Sequence, residues 1–186
     1  MFARTDRLLL RPGWREDAPA LAAAVNELGI ARNCEGAPWP YSIADAEAFL
    51  AEAHADPART TLLAWRRTAA APELVGAVGL ARTGAGQALF ATWTTRRFWG
   101  RGYASEAGAA LLEMARHSLR LDHVFAWSFL DNPAGARLLD RLGFAATGEI
   151  VRATSLARGG AATPCRLHVR PLGVSMRADA DAALAA

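Results

Sequence analysis

The sequence predicts an α/β domain with a sheet of about seven strands flanked by helices. Three observations carry that expectation. An apolar, threonine-rich run, Leu89 to Thr95, passes through two glycines into a helical pattern lasting to about Leu119. A second strand-like run, Asp122 to Leu130, leads through Asn132-Pro133 into a shorter helix and returns as a strand from Phe144 to Ala153. Between Thr60 and Thr95, three strand-like runs follow one another with only turns between them. Strands alternating with helices in one chain point to a sheet covered by helices.

Composition sets the bounds. The chain has 186 residues, 52% of them hydrophobic, enough for one ordinary core. No repeat or linker divides it, so residues 1–186 read as a single domain, with 173–186 as a flexible, alanine-rich tail. Two cysteines, Cys34 and Cys165, are too few for a disulfide framework and lack metal-ligand spacing. They read as free thiols in a reducing, cytoplasmic compartment. The N-terminus is mixed and charged, without a signal-peptide pattern, and no apolar run approaches the ~20 residues that span a bilayer. With 21 basic against 18 acidic residues, net charge is only +3. No long basic run is present, which argues against nucleic acid as partner, and with no apolar run long enough to span a bilayer no membrane partner is expected.

The elements follow in order. Arg4 to Pro12 reads as a first strand, stopped by Pro12 and Gly13. Asp17 is placed to cap a helix from Ala18 to about Leu28, whose Ala20, Leu21, Ala24, Val25 and Leu28 share a face. Gly29 to Ser42 is irregular, and Ile43 to about His54 is a second helix with Phe49 and Leu50 inward. Thr60–Arg66, Leu74–Ala81 and Ala88–Thr95 form a meander, with a hairpin turn at Thr83–Gly86. In the strand after Asp122, Val124, Ala126 and Ser128 take one face and Phe125, Trp127 and Phe129 the other. A flexible turn at Arg158-Gly159-Gly160 precedes a last strand, Pro164 to Arg170. His54, His117, His123 and His168 are dispersed and read as surface or structural. Cys165 near His168 lacks a third group to orient a nucleophile pair.

The chemistry centres on Trp99-Gly100-Arg101-Gly102-Tyr103-Ala104-Ser105-Glu106-Ala107. Gly100 and Gly102 let backbone turn and approach a ligand closely. The first amides of the following helix have no internal partner, and the helix dipole makes that end weakly positive. A phosphate is the natural occupant. Arg96, Arg97 and Arg101 add formal charge nearby. A P-loop is excluded because no Gly-Lys pair exists, and a dinucleotide fingerprint is disfavoured by Ser105 at the third glycine position and by Asp122 preceding the next strand. Trp99 to Ala104 resembles the pyrophosphate loop of the GNAT superfamily of acyl-CoA-dependent N-acetyltransferases. That loop runs Gln or Arg, two free positions, Gly, one free position, then Gly or Ala. Gly102 and Ala104 fill the small positions; Trp99 replaces the commoner Gln or Arg. Trp-Gly-x-Gly-Tyr-Ala-x-Glu-Ala is similar to the branch holding the ribosomal-protein alanine N-acetyltransferases, as is the opening phrase from Thr5 to Pro12.

A second segment, Asp131 to Phe144, resembles the family's second motif, an Asn-led helix ending in Gly-Phe. Locally, Asn132 is a good N-cap, Pro133 a good first helical residue, and Gly143 a helix-ending glycine. The resemblance covers Arg4 to about Arg170. It implies a GNAT-like mixed sheet splayed at its centre, with acetyl-CoA as co-substrate and no metal. Implied cofactor contacts are Trp93, Thr94 and Thr95 on the strand, Trp99, Gly100, Arg101, Gly102, Tyr103, Ala104 and Ser105 in the turn, and Asn132. The acceptor is a primary amine: a peptide or protein N-terminus, or a small amine such as an aminoglycoside or polyamine. A non-catalytic acyl-CoA-binding module and a homodimer stay open.

The family's catalytic side chains do not carry over. A tyrosine common in the second motif falls on Leu139, a serine on Gly135, and an acid of some relatives near Thr154. Candidates from the residues themselves are Ser128, at the end of its strand, as donor to the leaving thiolate, and Glu35, the carboxylate of the irregular stretch. Trp39 and Tyr41 read as acceptor wall or as plugs beneath a Pro-rich connection. The missing base bears on the substrate: a lysine side chain, with a pKa of about 10.4, is only about one part in a thousand unprotonated near neutral pH, whereas an α-amine titrates at about 7.7–8.0. A site without a dedicated base suits the α-amine.

Overall fold

A computed structural model of the chain describes residues 1–84, 86–119 and 121–173. Residues 174–186 of the expected alanine-rich tail and Ala85 of the expected hairpin turn lie outside the described residues. The strands are β1 (Ala3–Arg4), β2 (Leu8–Arg11), β3 (Arg59–Arg66), β4 (Glu73–Gly84), β5 (Gln87–Thr94), β6 (His123–Phe129), β7 (Ala145–Ala153) and β8 (Thr163–Pro171). The helices are α1 (Ala18–Val25), α2 (Leu28–Ala31), α3 (Ile43–Ala55), α4 (Tyr103–Ser118) and α5 (Pro133–Arg141). One mixed sheet takes the order β1-β2-β3-β4-β5-β6-β8-β7. Among the described residues only β5 and β6 pair in parallel; every other neighbour is antiparallel.

Strand alternation sorts side chains onto two faces. On β3, Leu62 and Ala64 belong to the core beneath α4 and α5, while Leu63 joins the core beneath α1 and α3. α4 lays Ala107, Leu111, Leu112 and Ala115 against Val78, Leu80, Ala88, Phe90 and Val124. α5 adds Leu139, and Leu142 and Phe144 follow it into the same core. A smaller cluster, Phe129, Ala153 and Cys165, covers the opposite face of the β6–β8 end.

The sheet has eight strands where about seven were expected. The stretch Arg4 to Pro12 folds back on itself: the Thr5 amide donates to the Leu8 carbonyl at 3.0 Å, and β1 pairs antiparallel with β2. The first long helix stops at Val25 instead of about Leu28. Asn26 closes it, and its carboxamide oxygen accepts from the Tyr41 amide, after which Glu27 is extended and α2 makes a separate short turn. Asp17 does not cap α1. Its carboxylate turns back, accepting from the Trp14 amide at 2.7 Å and pairing with Arg11, whose guanidinium lies over the Trp14 ring. At the turn expected at Arg158-Gly159-Gly160, Leu156–Arg158 forms a 3-10 turn closed by the Gly160 amide on the Ser155 carbonyl at 3.0 Å.

Candidate functional site: the cleft between two parallel strands

β5 and β6 pair only at Gln87–His123, Ala88–Val124 and Leu89–Phe125. Beyond that, β5 continues to Thr94 and β6 to Phe129 without pairing with each other. β4 holds β5 straight as far as Gly76–Thr94. Along a strand, the backbone polar groups of successive residues point to alternate sides. The Thr95 amide donates to the Val75 carbonyl at 2.7 Å, and the Trp93 carbonyl faces Gly76, so these residues address β4. Thr92 and Thr94 therefore address the open side. The Thr94 carbonyl accepts the Trp99 indole N–H at 2.6 Å. That leaves the Thr92 N–H and C=O and the Thr94 N–H without a ladder partner, a state normally costly unless something else pairs with them.

The divergence opens a cavity of about 710 Å³. Thr92 and Trp93 form one wall, Trp127, Ser128 and Phe129 the other, and Asn132, Gly135 and Leu139 of the following turn and helix close one side. At the end of β5, Arg96–Phe98 makes a 3-10 turn, and Gly100 (φ 72°) and Gly102 (φ 79°) bring the chain round into α4. Both glycines are left-handed, a region costly for side-chain-bearing residues. A Cβ on Gly100 would meet nothing within 4 Å, so the space over the turn is open.

The first helical bond of α4 runs from the Glu106 amide to the Gly102 carbonyl, leaving the amides of Tyr103, Ala104 and Ser105 without intrahelical partners. The Tyr103 side chain points inward, edge-on to Phe98 with ring centroids 5.5 Å apart, so only its backbone can face a ligand. Thr95 likewise spends its hydroxyl on the Leu74 carbonyl. Trp93 packs toward the core beneath α1 and α3 while lining the cavity. Trp99 is about half exposed, its ring edge against Gly29 of α2. The arginines separate: Arg96 pairs with Glu27 at 3.0 Å and Arg97 with Glu73 at 3.4 Å, while exposed Arg101 has no ion pair among the described residues.

Asn132 caps α5, its side-chain oxygen accepting from the Gly135 amide at 3.0 Å. A Cβ at Gly135 would come within 2.8 Å of the Asn132 amide nitrogen, so a side chain there would displace the cap. Leu139 is buried in the core. Ser128 is buried in the cavity wall, and its hydroxyl makes no hydrogen bond among the described residues. On the far side lie Cys34, Glu35 and Tyr41; Trp39 is not part of the wall. Burial pushes the Cys34 thiol up to about 11. Burial, with Asp45 and Cys34 adding to it, pushes the Tyr41 phenol up to about 12. Three carboxylates line the cavity, but Asp45 is committed to Ser42 and Glu52 bridges to Arg59. Exposed Glu35 has neither hydrogen bond nor ion pair among the described residues. Cys165 and His168 point to opposite faces of β8, which removes them as a nucleophile pair.

Two features have no local sequence signal. Arg7, from the β1–β2 turn, grips Glu106 in α4 (Nε to Oε2, 2.6 Å) and donates to the Arg101 carbonyl at 3.0 Å, locking the N-terminus onto the glycine turn. Arg158 lies 4.0 Å over the Phe129 ring and donates to Asp131, Asn33 and the Arg32 carbonyl, tying together three segments around the cavity mouth.

Comparison with known proteins places this geometry. The sequence matches the acetyltransferase (GNAT) domain family over residues 7–145. No curated protein matches it. Among solved structures, the ribosomal L7/L12 α-N-protein acetyltransferase RimL with coenzyme A superposes with a TM-score of 0.78 at 18% identity, covering 92% of this chain and 98% of that one. The microcin C7 self-immunity acetyltransferase MccE, bound to acetyl-CoA and AMP, gives 0.76 at 18% over 90% and 93%. The Vibrio cholerae spermidine N-acetyltransferase, with CoA and spermine, gives 0.74 at 20% over 90% and 97%. These three share the fold. The split parallel pair and glycine turn thus define an acyl-CoA acyltransferase scaffold. The chain belongs to the GNAT acetyltransferase family and is an acetyl-CoA-dependent N-acetyltransferase. Among the described residues no cluster of His, Cys, Asp or Glu is arranged to hold a metal ion, and no helix is long and apolar enough to cross a membrane.

Proposed function

We propose that the chain transfers the acetyl group of acetyl-CoA to the α-amine of a peptide or protein N-terminus. The observation that carries the binding half of this reading is the end of the β5–β6 ladder at Leu89–Phe125, immediately upstream of the Gly100–Gly102 turn. An extended pantetheine arm would supply the missing strand. Its amides would pair with the Thr92 and Thr94 backbone and with the Asn132 carboxamide, whose nitrogen is not used by the cap. Trp93 and Thr95, whose backbones serve β4, would shape the wall behind it. The pyrophosphate would sit over Gly100 and Gly102, on the amides of Tyr103, Ala104 and Ser105, with Arg101 as its cation and Trp99 flanking it.

The chemistry then follows. The amine nitrogen attacks the thioester carbonyl carbon. The Thr92 N–H stabilises the oxyanion, leaving the Thr92 carbonyl and the Thr94 N–H to the arm, and collapse expels the CoA thiolate, to which the Ser128 hydroxyl donates. The new amide's excess proton leaves to solvent along Glu35. Alignment of the two reactants supplies much of the acceleration, which suits a site with few ionisable groups.

The acceptor half rests on what the cavity offers an amine. Tyr41 and Cys34 are both pushed away from neutrality, and of the three carboxylates only Glu35 is uncommitted. A polyamine would ask for several free carboxylates; a single α-amine, already partly deprotonated near neutral pH, asks for none. Mass spectrometry of acetyl-CoA reactions with an N-terminally free peptide, a lysine peptide blocked at its N-terminus, and spermidine tests this. Faster acetylation of the free N-terminus is expected; preference for either alternative would overturn the acceptor assignment.

A further inference from the structure

Beside the main cavity lies a second hollow of about 330 Å³, lined by Leu28, Arg32, Ala157, Arg158 and Thr163. Arg158 and Phe129 link the two: the Arg158 guanidinium stacks on Phe129, and Asn33, its hydrogen-bond partner, lines the main cavity. The hollow holds two guanidinium groups against one carboxylate, Asp131, bonded by both. Of the other acids nearby, Glu27 is committed to Arg96, and Glu35 lines the main cavity. The hollow therefore carries a net positive charge, while the neighbouring cavity carries a free carboxylate.

Donor accounting separates the two arginines. A guanidinium has five N–H groups in a fixed fork. Arg158 directs four of them to the Arg32 carbonyl, the two Asp131 oxygens and Asn33. Its side chain is nearly buried, so it is a fixed platform. Among the described residues Arg32 makes one side-chain bond, Nη2 to Asp131 Oδ2 at 2.6 Å, and its side chain is about half exposed. It keeps a bidentate edge for a second anion, and Asp131 does not lose its own partner if Arg32 swings away, because Arg158 holds both its oxygens.

We propose that this hollow is a second acceptor subsite, taking a carboxylate carried close to the reacting amine, with Arg32 as the group that reads it. The proposal rests on the α-amine reading above and narrows it to acceptors with an anion beside the amine. The carboxylate can belong to an acidic residue following the N-terminus or to a free amino acid. A planar carboxylate suits the Arg fork, and the pairing is exposed enough to be reversible.

The test uses matched pairs: the peptide amides Ala-Asp-Gly and Ala-Asn-Gly, and alanine against alaninamide with rates referred to the unprotonated amine of each, because the free amino acid's amine is the more basic, with Ala-Lys-Gly as the opposite charge. The native enzyme should favour the carboxylate member of at least one pair by about tenfold in kcat/KM. The pair that shows it identifies the source of the carboxylate. The ratio should fall to near one in Arg32→Gln and turn toward Ala-Lys-Gly in Arg32→Glu. Ratios within one variant are independent of its folded fraction. Equal rates across both pairs in the native enzyme, or a preference surviving in Arg32→Gln, would overturn the subsite while leaving the α-amine reading intact. Turnover of spermidine with none of the α-amines would overturn both.

Discussion

Leu89 and Phe125 are the last facing pair of the two parallel strands, and everything beyond them on β5 and β6 diverges. The backbone of β5 consequently alternates between residues answered by β4 and residues answered by nothing in the sheet. Hydrogen exchange should resolve this residue by residue. The Thr95 amide is expected to be protected in the free protein. The Thr92 and Thr94 amides should exchange quickly alone and slow by about tenfold or more with saturating acetyl-CoA. Unchanged exchange at Thr92 and Thr94 would remove the cofactor from this edge.

Gly102→Glu places bulk and a negative charge at the start of α4, where the proposed pyrophosphate lies. Titration calorimetry should show acetyl-CoA affinity weakened by about a hundredfold or more, since like charges in contact cost several kcal/mol. Gly148→Glu is the control for a glutamate on left-handed backbone (φ 88°): a Cβ there meets nothing within 4 Å, and one at Gly102 meets only the Arg7 guanidinium, at an ordinary 3.5 Å. The control should bind normally.

Ser128→Ala should lower kcat by about a hundredfold if its hydroxyl donates to the leaving thiolate, with acetyl-CoA affinity unchanged. An unaltered kcat would return Ser128 to the role of a cavity-wall hydroxyl.

The rate of acetylation of a peptide N-terminus should rise with pH and level off near the ordinary α-amine range of about 7.7–8.0. A continued climb toward a pH of about 10 would point to lysine as the acceptor.

Glu106 links pH to stability. Burial alone would raise its carboxyl, but the Thr5 hydroxyl and the Arg7 amide and guanidinium outweigh that and hold it below the ordinary value. A carboxyl depressed in the folded state contributes stability fully present above its unfolded pKa, which is lost as pH falls toward the folded one. Glu106→Gln should therefore cost about 1–3 kcal/mol at pH 7, by chemical denaturation. The gap should narrow below a pH of about 4.3. A gap constant down to pH 3 would contradict the assignment.

What could be read from the sequence was whatever local chemistry determines. Gly100 and Gly102 announce a turn between strand and helix, and Asn132-Pro133 a helix start, because each acts on its own few neighbours. Strand alternation put Ser128 on the same face of β6 as Val124 and Ala126, the face that the fold buries. The misread parts depend on distant partners. The split of the first strand, the Arg158 clamp and the neutralisation of Arg96 and Arg97 are decided by Glu106, Asp131, Glu27 and Glu73, none of which sequence spacing can bring near. Asp17 had the right residue type for a cap, yet its carboxylate went to Arg11, a stronger, charge-assisted partner.

The short parallel seam joins two halves of the sheet, a five-strand meander and the β6–β8–β7 end. With acetyl-CoA seated along that seam, the metabolite bridges both halves and becomes part of what keeps them folded. At a concentration a hundred times its dissociation constant, such a ligand adds about 2.7 kcal/mol of stability. A rise in melting temperature with acetyl-CoA, together with slower proteolysis, would register it. The abundance of this enzyme in a cell would then track the acetyl-CoA supply through degradation, with no dedicated regulator involved.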